Sequence, residues 1–360
     1  MKINNKLSLL IATGVFILGL SACTKPTHET QTIKKSDSHI ALISDVNGVK
    51  DNSLNQSAWQ GLKNYGTKNN LSEGNNGYNY FIPKDSKDYQ ASINDALDKK
   101  FSTIISVGYM IKPTIVKTAK NNPHKNFVVI DTHAPKLKNV SSISFKNQEG
   151  AYLAGVAAAY TTKSNTVGIV LGQNSKELNT FKAGFIQGVV TTSHKLHKHI
   201  KVINQTVGNF SDVNKAHDIA QEMYDKKADV IFQVAGKSGQ GVFKAAKEVN
   251  QAQPVKQKVW VIGSDEDQTK LGNYQAKGGQ PSNFTLTSVL KSADLAVEKL
   301  ADETAKGKFP AGKNLSYGLK NNGISLVQGN LSYHTWIQVQ KAKQKIIYGK
   351  IKVERSLNNN

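Results

Sequence analysis

Short apolar runs alternate with amphipathic stretches from residue 39 onward, and this alternation is the main structural signal in the chain. Apolar, β-rich runs predict strands over residues 40–44, 78–83, 103–107, 127–131 and 141–145. Helical spacing of apolar residues predicts helices between them, near residues 54–65, 89–97 and 111–120. Strands that alternate with helices of this length indicate βαβ units and a parallel sheet.

The same alternation restarts at about residue 148. Strands are predicted over residues 166–171, 200–206, 229–234 and 259–263, and helices over 148–160, 178–191, 213–226 and 240–249. The C-terminal part predicts a strand over 284–289, a helix over 292–306, and short strands near 315–319 and 324–327. Two runs of similar size indicate an α/β protein with two doubly wound lobes, and a cleft between such lobes is a natural ligand site.

The C-terminal part is too short for a third domain, so we expect it to cross back between the lobes. This interpretation assigns residues 39–144 plus about 287–312 to lobe 1. Residues 145–286 plus about 313–355 then form lobe 2.

The first 38 residues have a different character. A basic start is followed by an apolar run over residues 7–20 and then by Leu20-Ser-Ala-Cys23. This order is typical of a secretory signal, and Leu-Ser-Ala-Cys resembles a bacterial lipobox, whose cysteine is lipidated. We therefore predict a signal peptide over 1–22, a lipid anchor (palmitate among its acyl chains) on Cys23, and a polar tether over 23–38. The protein would then lie on the extracytoplasmic face of the cell membrane.

The chain is strongly basic, with a formal net charge of +21 over 360 residues. Basic proteins attract nucleic acid, anionic lipid and wall polymers. The lysines are spread along the chain, and no basic-aromatic recognition motif accompanies them, so the composition disfavours a nucleic-acid-binding protein. An anionic cell surface suits an anchored basic protein better.

Three predicted strands end in an aspartate, namely Asp45, Asp131 and Asp265. Ligands of open α/β sheets bind outside the carboxyl ends of the strands, so these carboxylates are candidate ligand contacts. A carboxylate can accept hydrogen bonds from both hydroxyls of a vicinal diol, and one Asp with one Lys can hold a ribose-like ring. The loop 44–61 adds further polar side chains, although an ordinary solvated loop with a helix cap explains these equally well.

The segment 234–243 contains Gly236, Gly239 and Gly241 between a strand and a helix. Such a loop lets backbone approach a ligand closely, but a tight turn is an equal alternative. The segment matches neither the phosphate-binding nor the dinucleotide-binding glycine pattern, so no cofactor is predicted.

Catalytic and metal-binding patterns are weak in this sequence. His194, His197 and His199 lie among lysines without a nearby carboxylate or cysteine, which favours a solvated loop over a metal site. No nucleophile elbow, His-Glu-x-x-His pair or Walker loop occurs. We predict that the chain is not an enzyme.

Several motifs together resemble the basic membrane protein family of bacterial lipoproteins. They are the loop from Asp45 to Gly61, Phe145-Lys-Asn-Gln-Glu-Gly-Ala-Tyr-Leu-Ala-Gly155, Gly184-Phe-Ile-Gln-Gly188, Ala228-Asp-Val-Ile-Phe232, the segment Ala235 to Phe243, Val259-Trp-Val-Ile-Gly-Ser-Asp265 and Thr287-Ser-Val-Leu-Lys291. The resemblance implies the type I periplasmic-binding-protein fold, with two Rossmann-like lobes joined by a hinge. It also implies the substrate-binding component of an ABC importer for nucleosides, chiefly purine nucleosides, with permease subunits as partners. We expect a monomer.

The resemblance also implies a set of ligand contacts. Asn55 and Asp131 would meet the base, Phe210 would stack on it, Gly236, Asp265 and Lys291 would hold the ribose, and Asp45 would line the cleft. The chain departs from the family at Leu54, where the family has an aromatic residue. Stacking contributes about 1–3 kcal/mol per base, so a leucine leaves the affinity and the ligand identity open. Tyr109 and Trp59 are alternative aromatic faces.

Two other functions remain open from the sequence. A receptor for a sugar or another small solute would explain the leucine at position 54. A nucleoside hydrolase would need a dense aspartate cluster for Ca²⁺, and Asp45-Val-Asn-Gly-Val-Lys-Asp51 is too sparse for that.

Overall fold

The computed structural model describes residues 39–85 and 87–357. The predicted signal peptide, the tether and Cys23 lie outside the described residues. The strands in the described part are β1 (Ile40–Ile43), β2 (Tyr78–Phe81), β3 (Thr103–Val107), β4 (Asn126–Ile130), β5 (Val140–Phe145), β6 (Thr166–Leu171), β7 (Lys201–Thr206), β8 (Val230–Val234), β9 (Trp260–Asp265), β10 (Asn273–Gln275), β11 (Pro281–Asn283), β12 (Thr285–Lys291), β13 (Asn314–Tyr317) and β14 (Ile324–Leu326).

The helices in the same part of the chain connect these strands. They are α1 (Leu54–Lys68), α2 (Tyr89–Asp98), α3 (Lys112–Asn121), α4 (Asn147–Thr161), α5 (Lys176–Lys195), α6 (Val213–Asp225), α7 (Gly239–Ala252), α8 (Ala293–Ala305) and α9 (Tyr333–Ile347). None of these helices combines the length and the apolar character that a membrane span requires.

Two six-stranded sheets form the centres of two lobes. The sheet of lobe 1 has the order β13-β5-β4-β3-β1-β2, and the sheet of lobe 2 has the order β14-β12-β9-β8-β6-β7. Neighbouring strands are parallel except for β14, which pairs antiparallel with β12. Every residue of the inner strands β1, β3 and β8 is buried, which explains their unbroken apolar runs. The predicted α/β class with two doubly wound lobes is confirmed.

The chain passes between the sheets near its C-terminus, and the predicted bounds of this passage need correction at both ends. The strand β12 belongs to lobe 2, because it pairs in parallel with β9. The strand β13 belongs to lobe 1, because it pairs with β5. The segment that completes lobe 1 is therefore 292–317 rather than 287–312. An apolar strand suits either sheet, so its hydrophobicity does not reveal which sheet it joins.

Two elements were not predicted from the apolar pattern. One is α9, which buries Thr335, Val339, Ala342 and Ile346 on one face while its other face is rich in lysine and glutamine. The other is the hairpin of β10 and β11, whose strands have three residues each. Strands this short contain too few residues to show a periodic pattern.

Candidate functional site

A cavity of about 640 Å³, partly open to solvent, lies at the carboxyl ends of strands from both lobes. Its walls come from the ends of β1, β3 and β4 in lobe 1 and of β8, β9 and β12 in lobe 2. All eight residues named as ligand contacts line it: Asp45, Leu54, Asn55, Asp131, Phe210, Gly236, Asp265 and Lys291. The topology therefore brings together positions that are as much as 246 residues apart in sequence (291 − 45).

Lys291 is the central charge of this cavity. Its side chain is 3% exposed, and its Nζ lies 2.8 Å from Asp131 Oδ2 and 3.3 Å from Asp265 Oδ1. The rings of Phe145 and Phe181 lie 5.8 and 4.9 Å from the same nitrogen. Burial alone would lower the pKa of Lys291, but the two carboxylates outweigh it and raise the pKa above the ordinary lysine value. The ammonium is therefore charged at neutral pH.

The two aspartates beside Lys291 have an uncommon backbone conformation. Asp131 and Asp265 have φ angles of 66° and 70°, in the left-handed region that non-glycine residues rarely occupy. Both stand at the carboxyl end of a parallel strand, and the turn directs both carboxylates to one lysine. Burial raises the pKa of Asp131, and Lys291 offsets part of this effect. Strain of this kind is concentrated at functional sites.

One oxygen of each of these carboxylates remains without a hydrogen bond. Asp131 Oδ1 and Asp265 Oδ1 are buried and accept no hydrogen bond from the described residues. Asp265 Oδ2, in contrast, accepts a hydrogen bond of 2.6 Å from Ser53 Oγ. Asp265 Oδ1 does have the ion pair with Lys291 at 3.3 Å, whereas Asp131 Oδ1 has no such contact. Buried acceptors without hydrogen bonds are costly, so these two oxygens are suited to accept donors from a ligand.

Asp51 organises the loop after β1 and the start of α1. Its carboxylate accepts hydrogen bonds from the backbone N–H groups of Ser53 and Gln56 at 3.0 and 3.1 Å. It also accepts a bond of 2.7 Å from Asn55 Nδ2, while Asn55 Oδ1 accepts one from the Asp45 N–H. The amide of Asn55 is thus held at both ends in the cavity wall.

Direct hydrogen bonds join the two lobes around the cavity. Gln56 Nε2 donates to Glu266 Oε2 at 2.8 Å, and Gln268 Nε2 donates to the carbonyl oxygen of Asn52 at 2.8 Å. On another wall, the Tyr109 hydroxyl donates to Gln173 Oε1 at 2.7 Å. With the Ser53 bond described above, these contacts define a closed arrangement of the lobes.

Phe210 and Tyr109 provide the aromatic surface. Their ring centroids lie 6.4 Å apart at an interplanar angle of 72°. Glycine is required beneath the Phe210 ring, because a Cβ at Gly172 would lie 2.4 Å from it. Gly236 has a φ of +56°, which also favours glycine there. The alternative prediction, that Trp59 supplies an aromatic face to the ligand, is wrong. Trp59 packs against Tyr78 and Tyr80 in the core.

The family follows from comparison with known proteins. Residues 39–356 match the family described as ABC transporter substrate-binding protein, PnrA-like. The chain belongs to this family. Its PnrA-like relatives are substrate-binding proteins rather than enzymes, which confirms the prediction that this chain is not an enzyme.

Two curated relatives and one solved structure show how similar this chain is to known proteins. The chain is 42% identical over 319 residues to the ABC transporter nucleoside-binding protein BmpA of Lactococcus lactis subsp. cremoris, covering 89% of this chain and 90% of the relative. It is 39% identical to the CD4+ T-cell-stimulating antigen of Listeria monocytogenes, covering 96% of each chain. An ABC transporter solute-binding protein from Aeropyrum pernix K1 has the same fold, with a TM-score of 0.77, 23% identity and coverage of 89% and 94%.

Several residues that line the cavity between the lobes were not among the predicted ligand contacts. They include Asp51, Ser53, Tyr89, Met110 and Leu178, whereas Tyr109, predicted as an alternative aromatic face, does line the cavity. Asp51 and Ser53 belong to the polar loop 44–61, and their polarity was the available signal. Tyr89 and Leu178 reach the cavity from the first turns of α2 and α5, where an apolar residue has the same pattern as a core residue. In the described residues no group of three or more His, Cys, Asp or Glu side chains could hold a metal ion.

Glu266 makes the interface between the lobes sensitive to pH. Burial, with the charges of Asp51 and Asp265, raises its pKa to about 7. Because the pKa in the folded protein exceeds the ordinary value, the folded protein binds a proton that the unfolded chain lacks between about pH 4.5 and 7. The contribution of Glu266 to stability therefore rises as the pH falls through this window.

We expect Glu266→Gln to remove that dependence. The variant should be more stable than the wild type at about pH 8, where the wild-type carboxylate is charged, and the difference should disappear near pH 5. Thermal unfolding at both pH values measures this, with Asp225→Asn on the exposed surface of α6 as the matched control. An equal difference at both pH values would contradict the assignment.

Proposed function

We propose that this protein binds a nucleoside between its two lobes and delivers it to the permease of an ABC importer. The observation that carries the proposal is the buried pair of carboxylates on either side of Lys291, beside the aromatic surface of Phe210: Asp131 Oδ1 accepts no hydrogen bond, and Asp265 Oδ1 has only its ion pair with Lys291. A nucleoside offers what this arrangement lacks, namely hydroxyl and N–H donors together with a flat apolar ring. The name of the Lactococcus relative supports the same ligand class.

Different residues of the cavity wall suit the sugar and the base of a nucleoside. Asp265 and Lys291 suit the two ribose hydroxyls, because a carboxylate accepts and an ammonium donates. Asn55 and Asp131 suit the polar edge of the base, and Phe210 offers it a stacking face. Gly236 lets the backbone lie close to the sugar, and Asp45 completes the wall. We propose purine nucleosides as the preferred class.

The remaining parts of the proposal concern location and partners. The lipobox-like sequence ending in Cys23 supports a lipid anchor on the extracytoplasmic face of the cell membrane. The family supports permease subunits as the partners that receive the ligand. We propose that the binding protein acts as a monomer.

Mass spectrometry of the small molecules released from natively purified, denatured protein tests the ligand class. The expected result is a nucleoside, present in stoichiometric amount and absent after the protein has been unfolded, washed and refolded. A stoichiometric sugar or amino acid in its place would contradict the proposal.

Leu54 is the position where we expect affinity to be improved. It lines the cavity at the first residue of α1, so Leu54→Phe would place a second ring against the base. Stacking is worth about 1–3 kcal/mol per base, so affinity for a bound nucleoside should rise by roughly fivefold or more. Leu54→Met is the control for side-chain size, and calorimetric titration is the measurement. Equal affinities of the Phe and Met variants would exclude a stacking role for this position.

A further inference from the structure

Asp131 also lines a second cavity, of about 540 Å³, which lies between the lobes. This cavity is rich in cationic side chains. Lys112 comes from lobe 1, while Lys176 comes from α5 in lobe 2 and Arg355 from the C-terminal segment. His133 also lines the cavity, but burial and these three cations lower the pKa of its imidazole. Because no chemistry of the nucleoside site uses these residues, the cavity needs an explanation of its own.

The cations of this cavity exceed its carboxylates. Lys112, Lys176 and Arg355 form no ion pair with any carboxylate in the described part of the chain. The carboxylates in the lining are Asp131, which is already paired with Lys291, and Glu177. The cavity therefore has a net positive charge.

Arg355 is the only arginine among 47 Lys and Arg residues. Its planar guanidinium fits an oxyanion with two parallel hydrogen bonds, which a lysine cannot provide. The segment that holds it is fixed to lobe 2, because Gln187 donates to the carbonyl oxygen of Lys352 at 3.0 Å and accepts from the Glu354 N–H at 2.9 Å.

Three helices begin at this cavity. Lys112, Asn147 and Lys176 are the first residues of α3, α4 and α5, helices of 10, 15 and 20 residues. The unpaired N–H groups and the dipole of a helix N-terminus favour a bound anion. Ser175 already caps α5 and α3 has a proline in its first turn, so these ends supplement the positive potential of the side chains through their dipoles.

A buried polar group in the lining also lacks a partner. Asn147 is 4% exposed, and its Oδ1 accepts no hydrogen bond from the described residues. The Asn147 amide donates towards Asp131, so the group without a partner is an acceptor, and the hydroxyl of a monoprotonated phosphate can donate to it. An oxyanion in the cavity would satisfy it.

The cations face each other across the gap between the lobes. The Thr132 hydroxyl of lobe 1 links the two sides of this gap. It donates to Glu177 Oε1 at 3.1 Å and accepts from Lys112 Nζ at 3.3 Å. Closing the lobes brings the positive groups of both sides together, which is unfavourable unless an anion lies between them. Binding of such an anion would thus favour the closed arrangement.

We propose that this second cavity binds a phosphate-like oxyanion, held by Lys112 of lobe 1 and by Lys176 and Arg355 on the side of lobe 2. The anion bridges the lobes and stabilises their closed arrangement. The chemistry is the same for inorganic phosphate and for the phosphate group of a ligand that extends past Asp131.

Inorganic phosphate, titrated into the nucleoside-free protein against chloride at equal ionic strength, tests the site directly. We expect a saturable rise in Tm and saturable calorimetric binding in the wild type and in Lys277→Ala, an exposed lysine of the β10–β11 loop. The double variant Lys176→Ala/Arg355→Ala should bind phosphate at least about tenfold more weakly. Both replaced side chains are exposed, so the variant should fold. A wild-type response no greater than that to chloride, or an equal response in the double variant, would overturn the proposal.

A second titration identifies the source of the anion. If the anion is free, phosphate should tighten nucleoside binding several-fold, and by reciprocity nucleoside should tighten phosphate binding equally. If it belongs to the ligand, a nucleoside 5′-monophosphate should bind more tightly than the nucleoside, and inorganic phosphate should compete with it. The titrations with nucleoside and nucleoside 5′-monophosphate rest on the proposed function, whereas the phosphate titration of the nucleoside-free protein does not.

Discussion

Replacing Asp265 by asparagine is expected to weaken nucleoside binding by roughly 10- to 100-fold without unfolding the protein. A hydrogen bond to a charged acceptor contributes about 1.5–3 kcal/mol, and the variant replaces such an acceptor with a neutral one. Asparagine tolerates the φ of 70° at this position and keeps the shape of the side chain, so the backbone turn should persist. Calorimetric titration with the preferred nucleoside measures the loss.

The control for this variant lies two residues away. Asp267 is exposed and bonds to Thr269 rather than facing the cavity, so Asp267→Asn should leave nucleoside affinity unchanged. Equal affinity of Asp265→Asn and wild type would show that the ribose is not held by this carboxylate.

Replacing Lys291 by methionine should destabilise the fold as well as abolish binding. Lys291 is the cation for Asp131 and Asp265, and its removal leaves both carboxylates largely buried without a counter-charge. Breaking a buried pair on one side costs about 3–5 kcal/mol, so the free energy of unfolding should fall by that amount near pH 7. Urea denaturation measures it, with Lys277→Met as the exposed control.

The destabilisation of Lys291→Met should depend on pH in a defined direction. Burial already raises the pKa of Asp131 in the wild type, and loss of the ammonium raises it further. A carboxyl group whose pKa is raised by folding takes up its proton in the folded state first, so the variant should regain stability as the pH falls towards 5. A loss of stability that does not change between about pH 5 and pH 7 would contradict the assigned ion pairs.

The apolar pattern predicted most of the fold because the inner strands are buried on both faces. The inner strands were found close to the predicted bounds, and the strand-end aspartates lie together because the carboxyl ends of the strands in both sheets face the same cavity. The passage of the chain through β12 and β13 could not be predicted, since β12 would be buried equally well in either sheet and β13 is a partly exposed edge strand.

The side-chain contacts and backbone turns within the cavities could not be predicted as well from the sequence. The left-handed turns at Asp131 and Asp265 and their shared contact with Lys291 have no local sequence pattern. The organising role of Asp51 likewise depends on backbone N–H groups that only the folded loop presents. The second cavity combines residues as distant as Lys112 and Arg355, and a lone arginine has no motif.

The central claim is that a nucleoside binds between the lobes, and calorimetry on ligand-free, refolded protein tests it most directly. Adenosine, guanosine, inosine, cytidine, uridine and free ribose form the panel, with circular dichroism to confirm folding. We predict saturable 1:1 binding of at least one purine nucleoside, weaker binding of the pyrimidine nucleosides, and no binding of ribose at the same concentrations. Folded protein that binds none of the five nucleosides, or that prefers ribose, would contradict the claim.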